Sequence, residues 1–146
     1  MRNILLIVFV LSFSIVAKAE WFDIPYSDSK TEVQRAAIAE GLELMKENNE
    51  SQAFSGTDSS DRTINIIHIF GKNNPEKSLS FFIVDSDSES GIIYNSVLNE
   101  ILASGRWHLS GTSSGLGFDL SVFKNNSNEE LSLGIYEDSV FAVKKP

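Results

Sequence analysis

Apolar side chains at Ile38, Leu42 and Met45 recur at helical spacing behind Ser29-Lys30-Thr31-Glu32, where the serine and the glutamate can satisfy each other's orphan backbone amides. This pattern predicts a helix over about 30–48. Ile93, Val97 and Ile101 share a second helical face, and Gly105 suits the left-handed residue that follows a helix end. A short strand is expected after each helix, at 52–55 and at 107–110. Alternating strands are expected at about 62–70, 78–85, 117–123 and 130–136, joined by polar, Asn-rich connectors at 71–77 and 124–129. A last strand covers Val140–Val143.

The two halves of this pattern resemble each other. Shifted by 52, residues 64–85 lie over 116–137 with 6 identities in 22 positions, against roughly one or two expected from average composition. Lys72-Asn73-Asn74 falls on Lys124-Asn125-Asn126, Leu79 on Leu131, Ile66 on Phe118, and Ile64 on Leu116. The expected fold is α+β: two tandem α-β-β-β units, about 30–85 and 89–137, forming a mainly antiparallel sheet with two helices on one face. The C-terminal strand is then extra. A half-sheet with one helix leaves open strand edges, and a second copy can pair with one of them.

Ahead of this domain, a basic start (residues 1–3), a short apolar run (4–16) and Ala17-Lys18-Ala19 form the three parts of a secretory signal peptide of bacterial style. The run is shorter than the roughly 18–20 residues a spanning helix needs. Cleavage after Ala19 leaves one domain, residues 20–146, in the periplasm or outside the cell, with no stable membrane insertion. Removing Arg2 and Lys18 with the signal takes the formal net charge from −8 to −10. Such an acidic surface repels a phosphate backbone, which argues against nucleic acid and anionic lipid as partners and suits a basic protein. The chain has no cysteine. That excludes a disulfide scaffold, a thiol nucleophile, a thiolate metal site and a lipidated N-terminal Cys, and leaves stability to the core alone.

Candidate chemistry is sparse. His68 follows Ile64 and Ile66 on the alternation assigned to the core and reads as a buried, hydrogen-bonded histidine; as a general base beside a carboxylate it would suit a small hydrolase. His108, next to Trp107, should point to the opposite side of its strand. No nucleophile-elbow motif accompanies either. Asp85-Ser86-Asp87-Ser88-Glu89 begins like a calcium loop but has Ser90 at the sixth position and Ser96 at the twelfth, where Gly and Glu belong. It reads as an acidic turn before the second helix. Gly111–Gly117 has neither the lysine nor the following helix of a phosphate loop and reads as a plain loop. No cofactor or metal is expected.

The sheet face away from the helices is more informative. The repeat places Ile67, Ile69, Phe82 and Val84 there in the first unit and Asp119, Ser121, Gly134 and Tyr136 in the second. The greasy half needs a cover. The cover is internal, from residues 21–26 or 140–143, or it is a protein partner, a second copy or an apolar ligand. The partner-binding candidates are therefore Ile67, Ile69, Phe82, Val84 and Tyr136. The function that fits is a small exported binding protein acting by protein–protein contact, as an accessory subunit or an inhibitor or immunity-type protein. The alternatives are the hydrolase and an apolar small-molecule carrier.

Overall fold

The computed structural model describes residues 20–24, 29–72, 77–115 and 118–146. The export-signal segment 1–19 lies outside the described residues, as do Pro25, Tyr26, Asn73, Asn74 and Leu116. A 3-10 turn, Trp21–Asp23, precedes helix α1 (Lys30–Ala39), then strands β1 (Leu42–Glu47), β2 (Ser51–Thr57), β3 (Thr63–Ile69) and β4 (Leu79–Asp85). Helix α2 (Ser90–Ala103) opens the second half, followed by β5 (Trp107–Gly115), β6 (Phe118–Asn125), β7 (Glu130–Tyr136) and β8 (Ser139–Lys145). The eight strands form one antiparallel sheet in the order β1-β2-β3-β4-β8-β7-β6-β5. Each helix is followed by a four-strand meander, and the two meanders join through β4 and β8 at the centre of the sheet.

Both helices cover the same face. Val33 and Ala37 of α1, and Ile93, Val97 and Ile101 of α2, share one buried cluster with Phe54, Ile66, Phe82 and Leu133 from the sheet. The class is thus the α+β arrangement expected, with four strands after each helix where three were expected in each half. Helix α1 ends at Ala39 because Gly41 adopts φ +80° and turns the chain, a conformation costly for residues with a Cβ. Leu42 then starts β1, where a helix was expected to continue. Gly105, at φ +69°, ends α2 in the same way. The hydroxyl of Ser29 accepts the amide of Glu32 at the start of α1.

The alignment at a shift of 52 does not follow the order of elements. That shift lays β3 over β6, whereas β3 corresponds in element order to β7, and the C-terminal strand β8 corresponds to β4. Ile66 is in the core, while Phe118 packs against Phe141 and Tyr136 on the other side of the sheet. The Gly-rich stretch is not a loop either, since β5 runs on through Gly115. The two edge strands, β1 and β5, each carry a register irregularity, at Leu44/Lys46 and at Leu109/Gly111. Bulges at sheet edges discourage edge-to-edge pairing with other chains.

Candidate partner-binding face

Cross-strand register decides which side chains share a face. Ile64, Ile66 and His68 of β3 pair with Val84, Phe82 and Ser80 of β4, and all six point toward the helices. Phe82 and Val84 are fully buried (0% exposed). Their assignment to the open face is therefore corrected. The reason is chemical. The repeat pairing of Leu79 with Leu131 set Leu79 toward the helices, whereas it is Ser80 that points inward, where its hydroxyl meets His68 Nδ1 at 2.6 Å. That polar pair reverses the phase of β4 and puts Leu79, Phe81 and Ile83 on the open side, in register with Ile69, Ile67 and Asn65.

The second half is corrected likewise. Asp119 and Ser121 of β6 are not on the open face; Ser121 Oγ lies 2.5 Å from the hydroxyl of Tyr94 on α2. Leu120 and Val122 take their place, opposite Gly134 and Ser132 of β7. Apolar side chains thus run across the middle of the open face from β3 to β6, while β1 carries Glu43 and Lys46 there and β2 carries Ser51, Ser55 and Thr57. Ile67, Ile69 and Tyr136 stand 45%, 41% and 55% exposed on it. Among the described residues nothing covers it. The N-terminal turn, expected as a possible cover, packs on the helix side: the Trp21 ring lies 5.0 Å from Phe82. Strand β8 is not a cover but a central strand of the sheet.

The open face is not flat. Phe81, Ile83, Phe118, Tyr136 and Phe141 wall a hollow of ≈ 510 Å³, with Ser139 and Glu137 at its margin. Phe141 stacks on Phe81 at 6.0 Å between ring centroids and meets the Phe118 ring edge-on at 5.2 Å. Gly134 packs beneath Phe141, since a Cβ there would come within 2.7 Å of Leu120 Cδ2 and 3.1 Å of Phe141 Cζ. The pattern gave Gly134 as a polar position; its role is to let an aromatic ring lie against the strand.

The helix side of the sheet holds the charged groups that no periodicity revealed. Lys144, 1% exposed, donates from Nζ to the carbonyl oxygens of Ile24 (2.7 Å) and Phe22 (3.3 Å), 5.7 Å from the centroid of the Trp107 ring. Asp23 accepts from Arg106 and from Trp107 Nε1. Together these groups stitch residues 20–24 to the domain. Burial pushes the Lys144 ammonium below its ordinary range, while Glu129 and Asp23 pull the other way. Between the lowered value and 10.5 the unfolded chain binds more protons than the folded one, so unfolding free energy rises with pH across that window. Urea titrations at increasing pH should show this rise in the native protein, and Lys144→Met should remove it.

His68 is 1% exposed and cannot meet a substrate without local opening. His108 lies on the exposed side of edge strand β5, as alternation required. The acidic run ends in Glu89, the N-cap of α2, where negative charge complements the helix dipole. Among the described residues no group of three or more His, Asp or Glu is placed to hold a metal ion, and no helix is long and apolar enough to cross a membrane. No protein-family profile, curated protein or solved structure matches the chain.

Proposed function

We propose that the chain is a small, acidic, exported binding protein, periplasmic or secreted, that acts by protein–protein contact through the open face of its sheet. The observation that carries this reading is the uncovered apolar surface from Ile67 across to Tyr136. Antiparallel sheets with one solvated face ordinarily carry polar side chains there, and a large apolar patch marks an interaction surface. The hydrolase alternative lacks support, because its imidazole is 1% exposed, bonded to Ser80 and set against the Phe70 ring. The carrier alternative has the hollow in its favour. However, small-ligand sites enclose most of the ligand surface, and one sheet face supplies all the walls here. Export is supported by the basic, apolar and small-residue succession in residues 1–19.

A photo-crosslinking residue at Phe81 tests the contact reading in the native cell. Adducts at Phe81 and none at Ile38, exposed on helix α1, are the expected result. Absence of any adduct at Phe81 would contradict it. In the same material, mass spectrometry should find Glu20 as the N-terminal residue; an intact Met1 on a cytoplasmic protein would refute export.

A further inference from the structure

We infer that the occupant of the open face is a second copy of this chain, giving a face-to-face dimer of sheets. This inference rests on the contact reading above. Three observations favour a second copy over an unlike partner. The first is charge. By register the charged strand residues of the open face are Glu43, Asp85, Glu130, Lys46, Lys124 and Lys145, three of each sign, and Glu137 at the margin of the hollow adds one negative charge. Glu130 and Lys145 pair at 3.0 Å. The chain as a whole carries −8, yet its strand positions on this face balance, so a second copy meets little repulsion there. A strongly basic partner finds no acidic surface to read. The second is area. Eight strands of about seven residues present a face of about 900 Å², close to the roughly 800 Å² per partner that a stable interface buries.

The third is shape. The face carries both a ridge and a hollow. Ile67 and Ile69 stand exposed on β3, and the adjoining ring-lined hollow is walled from β4, β8, β7 and β6. A two-fold axis in the plane of the interface, perpendicular to the line joining ridge and hollow, places each copy's ridge in the other's hollow. Such self-complementarity is what a two-fold interface demands. Sheets packed this way interdigitate about 10 Å apart, as in a domain core.

Sedimentation equilibrium on protein purified from cells expressing the full coding sequence tests the dimer. The expected mass is that of two chains. Ile67→Asp and Ile69→Asp, each placing a carboxylate in the apolar contact, should weaken the dimer by about 30-fold or more with an unchanged circular dichroism spectrum. Ile38→Asp, exposed on α1 at the other side of the sheet, should leave the mass at two chains. A single-chain mass at every concentration overturns the second copy, as does a dimer that both aspartate variants leave intact. The crosslinks at Phe81 separate the two failures. A monomer with adducts to a different protein removes only the second copy; a monomer without adducts removes the contact reading as well.

Discussion

Phe82→Asp is expected to abolish the folded state, whereas Phe81→Asp, one residue away, should leave a folded monomer. Phe82 lies at the centre of the sheet on the helix side, fully buried, with the Trp21 ring 5.0 Å away and Ile66 and Ala142 opposite it on the neighbouring strands. Truncating a buried phenylalanine to alanine costs about 3–5 kcal/mol. A carboxylate there adds the desolvation of an unpaired charge. The sum is comparable to the whole stability of a domain this size, about 5–15 kcal/mol. Phe81 points the other way and stacks on the open-face ring of Phe141. Its replacement loses one aromatic contact, worth about 0.5–1.5 kcal/mol, and some strand preference. Urea denaturation followed by circular dichroism separates the two: no cooperative transition for Phe82→Asp, a shifted but cooperative one for Phe81→Asp. The reverse ranking would mean that β4 is out of phase.

Arg62→Met should cost about 3–5 kcal/mol, the effect of breaking a buried ion pair by removing one partner. Arg62 closes the β2–β3 turn and is almost fully buried. Its Nη2 donates to Asp58 Oδ2 and to Glu100 Oε2, each at 2.6 Å; Nε donates to Asp58 Oδ2 at 2.8 Å, and Nη1 reaches Ser96 Oγ at 3.2 Å. Burial alone would lower its pKa, but the hydrogen bonds and charges of Glu100 and Asp58 outweigh it and raise the value further. The guanidinium is therefore the clamp between the first meander and α2. Methionine fills similar space but leaves Asp58 buried beside no cation. Arg62→Lys keeps the charge and loses the fork, so it should fall between native and Met variants. Guanidinium chloride or urea midpoints measure the series. Equal stability of all three would show that the cluster contributes nothing.

The legible part of the fold was the part with one polar and one apolar side. Alternation located β3, β6, β7 and β8, and the start of α1 and the end of α2 were marked by Ser29 and Gly105. Helix α1 was read too long because Ile38, Leu42 and Met45 keep helical spacing across Gly41. That glycine, in the left-handed region, was the available stop signal. Phase failed where polar groups turn inward. In Leu79-Ser80-Phe81-Phe82-Ile83-Val84 both faces are apolar, and only Ser80 distinguishes them; its bond to His68 sends it the unexpected way. Lys144 follows the same rule on β8, entering the core to meet two backbone carbonyls that only the folded N-terminal turn provides. No local pattern encodes such a long-range partner. Of the open-face candidates, Ile67, Ile69 and Tyr136 lie on that face. Phe82 and Val84 do not, and the ring cluster of Phe81, Phe118 and Phe141 that walls the hollow was missed with the phase of β4 and β6.

Hydroxyl-radical footprinting across a concentration series tests most directly whether the open apolar face is an assembly surface. The expected result is labelling at Phe81, Phe118 and Tyr136 in dilute protein that falls as the copies associate, while Trp21 and Phe82 stay unlabelled throughout. Labelling at Phe81, Phe118 and Tyr136 that does not change with concentration would contradict it.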